Sequence, residues 1–354
     1  MNLIQSRFNK LNVKIPAFFA PMVGLSHVAF RELVRYYSPE NITPHCFTEM
    51  LSTRRVPYES LTKTDSLKVA PGEIHFIPQL LGNEERFIKD SIERLKQIEP
   101  WGLDINMGCP AKHILKHNWG VRLFGDPGYA ASVVEMARKY TTGPLSVKIR
   151  GGSGKTEEEY LYLLKFTKAL EDAGADWITI HPREAKQKHK GNANWDLVSA
   201  VAQERNIPIV VNGGIQTSEQ AVQLLQNTPI DGVMFARAAT ARPWIFWQLC
   251  EDLGYTKDKP KDFAGKMAPR TPQEEGLEYP KSVKKLIELL KIYFDERYIL
   301  EKTRFYSATS ARWFEHGHFF WKNTVKAKTV QDLENFVSEF IEKHEGRMDP
   351  TVRL

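Results

Sequence analysis

Short apolar runs, each closed by a Gly, Pro or polar turn, recur along the first two thirds of the chain. They are Ile15 to Ala20, His45 to Met50, Ile74 to Leu81, Gly102 to Met107, Leu145 to Ile149, Trp177 to His181, Ile207 to Val211 and Gly232 to Phe235. Runs of this length without polar alternation are the pattern of strands buried on both faces. Between most of them lie helix-length segments with apolar residues three and four apart, such as Glu84 to Ile98, Tyr129 to Tyr140 and Glu157 to Ala173, and Ser26 is placed to cap a helix reaching Tyr37. Eight strand–helix units within about 240 residues predict a (β/α)8 TIM barrel rather than an open doubly wound sheet. A Rossmann sheet is disfavoured further because no GxGxxG follows the first strand. Gly151 to Lys155 resembles a phosphate loop only superficially, lacks the Walker spacing, and reads as a flexible loop.

The pattern changes after the last strand. Tyr255 to Tyr279 is rich in Lys, Asp, Pro and Gly without sustained periodicity, whereas Ser282 to Tyr298, Thr303 to His316 and Thr329 to His344 are helical in period, the last with Thr329 as its cap. The predicted organisation is a barrel over 1–250, a linker over 251–279 and a small C-terminal α-helical domain over 280–354.

Composition narrows the class. With 354 residues, 42% hydrophobic and 26% charged, the chain can bury a large core; it contains no apolar run long enough to span a bilayer, and Met1 to Lys14 lacks the apolar core expected of a signal peptide. A cytoplasmic enzyme is expected. Three widely separated cysteines, Cys46, Cys109 and Cys250, speak for free thiols and against a disulfide framework or a structural metal site. The formal charge of +6 is compatible with a polyanionic partner and does not by itself require one.

The chemistry-bearing stretch is Asp104-Ile105-Asn106-Met107-Gly108-Cys109-Pro110-Ala111-Lys112, where a strand breaks into a Gly/Pro turn at the end of the barrel that carries active sites. Cys109 there is either a nucleophile or proton donor, or a thiol buried in a turn; Asn106 can orient a planar polar ligand. Asn212-Gly213-Gly214 closes strand seven and Ala236-Arg237-Ala238 closes strand eight, the two places where barrels commonly hold a phosphate. Lys148, inside an otherwise apolar strand, calls for an anionic partner, and a reduced flavin ring supplies one. Arg150, His181 and Gln79 fall at the ends of their strands on the same rim.

With these residues in view, the chain resembles the tRNA-dihydrouridine synthase family. The matching stretches are Ala20 to Met22, Gln79, Asp104 to Lys112, Val147 to Arg150, Ile180 to His181, Asn212 to Gly214 and Ala236 to Phe246. The resemblance implies an FMN-dependent barrel that reduces the carbon 5–carbon 6 double bond of particular tRNA uridines with NADPH as electron source. It assigns Pro21, Met22 and Gln79 to the flavin, Lys148 and His181 to its ring, and Asn212, Gly213, Gly214, Ala236 and Arg237 to its phosphate. Asn106 and Arg150 would address the uracil and Cys109 would be the general acid. The helical segment would bind tRNA, and a monomer is expected. The sequence departs from the family at Pro182, which stands where a Gly is usual, at Ala236, which replaces the Gly before the phosphate-binding Arg, and at Asn118 to Leu123, normally richer in Gly and Ala. The competing reading is an FMN barrel acting on a free pyrimidine, like dihydroorotate or dihydropyrimidine dehydrogenases; the basic balance and the helical extension argue against it.

Overall fold

The computed structural model describes residues 7–187 and 191–349. Eight strands, β1 (Ala17–Phe19), β2 (His45–Ser52), β3 (Phe76–Leu81), β4 (Leu103–Met107), β5 (Leu145–Arg150), β6 (Trp177–His181), β7 (Ile209–Asn212) and β8 (Gly232–Phe235), pair in parallel in sequence order and close into a barrel through β1 and β8. The expected (β/α)8 fold is the observed one.

Alternation along each strand sorts the side chains into two layers. Phe18, Phe47, Ile77, Trp177, Val210 and Met234 form one buried cluster filling the barrel. Their strand neighbours Phe19, Cys46, Ile178, Val211 and Val233 belong to the larger core beneath the helices. On β4 and β5 the same alternation assigns Leu103, Ile105, Met107, Leu145, Val147 and Ile149 to that outer core. Asp104, Asn106, Ser146, Lys148 and Arg150 are therefore left to the interior, and the barrel's upper half is polar on this side.

Local signals explain most helix ends. Asp126, Thr156 and Thr217 each accept a backbone N–H of the first turn that follows, and Thr329 with Asp332 forms a reciprocal capping box. At the first helix, Val28–Tyr36, the cap is His27, whose Nδ1 accepts the Phe30 N–H at 3.3 Å. Ser26 is not the cap, because its hydroxyl is engaged with the backbone of Met22, as acceptor at 2.9 Å and donor at 3.1 Å.

The helical region differs more from expectation. A helix runs from Pro272 to Tyr293, taking in the last eight residues of the stretch expected to be linker, with Thr271 and Glu274 making a second capping box. It ends before Tyr298, and Asp295 caps a new helix, Glu296–Ser310, followed by a 3-10 turn, Ala311–Trp313, and the helices Gly317–Lys326 and Val330–Lys343. Helix Pro272–Tyr293 packs on Val28–Tyr36, so barrel and helical region share one hydrophobic core. Among the described residues no helix is long and apolar enough to cross a membrane.

Candidate active site

At the carboxyl ends of the strands lies a cavity of about 1140 Å³ lined by Pro21, Met22, Gln79, Asn106, Cys109, Lys148, Arg150, His181, Asn212, Gly213, Gly214, Ala236 and Arg237. Every residue singled out in the sequence thus reaches one space, from seven of the eight strands or their following turns.

Cys109 is held by its neighbours rather than by its own chemistry. The Asn106 side-chain Oδ1 accepts the N–H groups of Gly108 and Cys109 at 3.1 and 3.0 Å, which folds the turn over the end of β4. Behind it, Val121 N–H donates to the Cys109 carbonyl at 3.0 Å. Gly120, at φ +62°, must lack a side chain, because a Cβ would sit 2.5 Å from that carbonyl oxygen. The segment that departs from the family pattern therefore buttresses the cysteine turn, with Trp119 buried and its indole N–H donated to Asn83 Oδ1 at 2.7 Å. The thiol itself is half-buried and faces the cavity.

Hydrogen bonds within the protein limit what Asn106 can offer a ligand. Its oxygen is used twice by the turn, and its Nδ2 donates to Gln79 Oε1 at 2.8 Å, so one amide N–H remains and the group can only donate to a ligand. Gln79 lies within β3 rather than at its end, fully buried, and its Nε2 donates to Asp104 Oδ2 at 2.7 Å. Asp104 also accepts from Ser146 Oγ. Burial raises the Asp104 carboxyl to about 7 against these hydrogen bonds and the nearby Lys148. Burial likewise lowers Lys148 to about 8, with Asp104 opposing the shift. No carboxylate lies within ion-pair distance of Lys148 among the described residues.

The cavity wall formed by the ends of β5, β6 and β8 is cationic. Arg150 and Arg183 are 5% and 4% exposed, and Arg237 is the first residue of the short helix Arg237–Ala241 after β8. Burial lowers the pKa of Arg237, and Arg183 and Arg312 lower it further, while Arg150 acts in the same direction on Arg183. Like charges gathered in a partly desolvated space, with no carboxylate paired to Arg237 among the described residues, favour an anion among them. Gly213 and Gly214 adopt φ +102° and +81°, and a Cβ on Gly213 would strike the His181 ring at 2.7 Å, so backbone alone fits there. Asn212 fastens this turn to β8 by donating to the Met234 carbonyl at 2.9 Å. Ala236 has φ −116°, outside the left-handed region that would call for glycine.

Arg183, absent from the sequence-based set, donates to the Gly191 carbonyl through Nε and Nη2 at 3.2 and 2.8 Å and from Nη1 to His181 Nε2 at 3.1 Å. An arginine only donates, so the imidazole accepts at Nε2 and carries its proton on Nδ1. Pro182 costs no needed donor; its carbonyl accepts Asn194 N–H at 3.3 Å, at the cap of helix Trp195–Gln203. Trp195, which donates to the Gly213 carbonyl at 2.9 Å, also lines the cavity, as does Trp313 from the helical region. Arg183 was visible two residues after His181; nothing in the sequence ties Trp313 to the barrel mouth.

A family model described as "Dihydrouridine synthase (Dus)" matches residues 18–340. The chain belongs to the dihydrouridine synthase family. It is 30% identical over 235 residues to the probable tRNA-dihydrouridine synthase of Helicobacter pylori (strain ATCC 700392 / 26695), covering 66% of this chain and 69% of that protein. It is 31% identical over 248 residues to the probable tRNA-dihydrouridine synthase of Treponema pallidum (strain Nichols), covering 67% and 71% respectively. Among solved structures, a 2-naphthoyl-CoA reductase in complex with 2-naphthoyl-CoA is similar with a TM-score of 0.50 at 13% identity, over 68% of this chain and 50% of that one. At that identity the likeness concerns the barrel fold alone. The match extends to residue 340 and so takes in most of this chain's helical region.

Proposed function

We propose that this protein is a tRNA-dihydrouridine synthase: it reduces the carbon 5–carbon 6 double bond of specific uridines in tRNA, using FMN and NADPH, as a cytoplasmic monomer. The observation that carries the reading is the meeting, in one cavity, of a turn-locked Cys109 with a cationic, glycine-lined cradle at Gly213, Gly214 and Arg237. Membership of the family sets the free-pyrimidine reading aside.

The residues present fit FMN. Arg237 and the bare backbone of Gly213 and Gly214 would hold its phosphate, with Asn212 and Ala236 shaping the turn. Lys148, His181 and Gln79 would face its ring, and Pro21 and Met22 would close the side formed by β1. Bound FMN, once reduced by NADPH, supplies the hydride that goes to carbon 6 of uracil.

The chain's own residues do the rest. Cys109 Sγ–H delivers a proton to carbon 5 and is reprotonated from solvent, a role suited to a thiol that is half-buried at the cavity wall. The remaining Asn106 N–H and the Arg150 guanidinium donate to the uracil carbonyls, orienting the ring and favouring the charge that builds on its oxygens as hydride arrives. Arg150 is itself steadied by the Gly108 and Glu184 carbonyls at 3.4 and 3.3 Å. Because the reacting base must leave the RNA fold to enter the cavity, binding costs an unstacking step, which backbone contacts to the basic surface offset. Mapping dihydrouridine in tRNA from cells lacking this protein tests the proposal: loss at defined positions is the expected result, and an unchanged map would refute it.

A further inference from the structure

The helix Glu296–Ser310 and the 3-10 turn after it run along the mouth of the cavity, and one strip of this segment is unpartnered. Phe305 is 48% exposed although its ring lies directly on Gly24: a Cβ built on Gly24 would meet Phe305 Cε1 at 2.8 Å. Gly24 has φ +78°, and its neighbour Val23, 58% exposed, lines the cavity. Seven residues after Phe305 comes Arg312, exposed and without an ion-pair or hydrogen-bond partner among the described residues. Phe305 belongs to the helix and Arg312 to the 3-10 turn that continues it, so the two sit on consecutive segments beside the barrel mouth. Arg312 is also close enough to Arg237 to act on its charge, and Trp313, the next residue, lines the cavity. The strip therefore borders the mouth at Val23 and at Trp313.

An exposed aromatic ring and an unpaired guanidinium are the two groups that hold an unstacked nucleotide, one by stacking on the base and the other by taking its phosphate. The surroundings select for an anion. Arg183 and Arg237 make the adjoining cavity end cationic, and no acidic side chain pairs with Arg312 among the described residues.

We propose that Phe305 and Arg312 form the surface that grips the RNA strand beside the uridine being reduced: Phe305 stacks on a neighbouring unpaired base, and Arg312 binds a backbone phosphate. The inference rests on the tRNA reading above and adds to it a defined strip and a division of labour within the strip. Val23 and Gly24 complete the platform from the barrel side, so the grip exists only where helical region and barrel meet. Gly24 matters because any side chain there would displace the ring from the mouth.

The test uses the full-length, FMN-loaded protein and an unmodified tRNA transcript, with dissociation constants measured by fluorescence anisotropy over a salt series. Phe305→Leu, which keeps apolar bulk on Gly24 but removes the π-face, should weaken binding roughly tenfold, and Phe305→Tyr should restore it. Arg312→Gln should weaken binding and make the salt dependence shallower by roughly 0.7–0.9 in slope, the share of one phosphate contact, whereas Phe305→Leu should leave the slope unchanged. Flavin content and thermal melting report whether each variant is folded. Arg312, being exposed, tests the strip even if Phe305 variants unfold. Unchanged tRNA affinity in Phe305→Leu and unchanged slope in Arg312→Gln would overturn the inference. So would variants that raise the KM for NADPH while leaving tRNA binding intact, since the strip would then serve the reductant. Wild-type protein that binds no tRNA would refute the tRNA reading itself, whereas wild-type binding with indifferent variants would remove only this inference.

Discussion

Cys109 and Asp104 divide the chemistry of β4 between the turn and the strand. The turn positions the thiol through Asn106 and Val121, so its removal should leave the scaffold intact. Cys109→Ala is expected to bind FMN and to accept electrons from NADPH as the wild type does, yet to form dihydrouridine in single turnover about 10²–10⁴ times more slowly, the usual contribution of a general acid. An unchanged single-turnover rate would make Cys109 a structural thiol. Asp104 yields a pH prediction. Its folded carboxyl is raised to about 7, chiefly by burial, above the ordinary carboxylate value of 3.8, so the folded state binds this proton more tightly than the unfolded state. The stability this group contributes is therefore present at low pH and lost as pH rises from about 4 to about 7. Asp104→Asn, measured by thermal melting of the flavin-free protein, should gain on the wild type as pH rises through that window; a difference constant with pH would contradict the assigned ionisation.

At the scale of elements, the site was legible in the sequence where chemistry and strand ends coincide. The Gly-Gly after β7 and the Arg after β8 marked the glycine-lined, cationic part of the cavity, and the Asn-x-x-Cys turn marked another part of its wall. Arg237 carries the sharpest consequence: Arg237→Ala should release FMN, seen as loss of yellow colour and a weakened dissociation constant for FMN but not for riboflavin, which lacks the phosphate. Equal loss for both would point to a collapsed cavity instead. What was not legible has physical causes. Asp104 and Ser146 face inward by the same two-residue alternation that points Lys148 inward, a pattern hidden within short apolar runs. Gln79 seemed to end its strand because the strand's polar interior was not anticipated. The helix from Pro272 was obscured by its Pro and Gly content, although Thr271-Pro272-x-Glu274 is a start signal in its own right. That the buried Trp313 also borders the cavity was not legible, since its approach depends on how helices pack.

The molecule as a whole is tied together across the two regions. Arg242, just past the helix Arg237–Ala241, and Glu275, in the helix Pro272–Tyr293, are 1% and 2% exposed and approach to 3.6 Å; Glu275 also accepts from Trp244 and Gln248 at 3.1 and 2.8 Å. Burial raises the Glu275 carboxyl while Arg242 pulls it back, so the pair is held by the packing around it. Glu275→Ala would remove the carboxylate nearest the buried Arg242 guanidinium and is expected to destabilise the protein by about 3–5 kcal/mol in urea denaturation, as one transition for barrel and helical region together. Two separated transitions would show that the regions fold independently. This coupling gives the helical region a defined stance over the cavity mouth, which a macromolecular substrate needs and a free pyrimidine does not.

The most direct measurement combines the purified full-length protein with FMN, NADPH and tRNA transcribed without modifications, and quantifies dihydrouridine by mass spectrometry of the digested RNA. Dihydrouridine is expected at specific positions, dependent on both FMN and NADPH and lost in Cys109→Ala. No dihydrouridine in tRNA from flavin-loaded protein, together with reduction of free uracil or uridine, would contradict it.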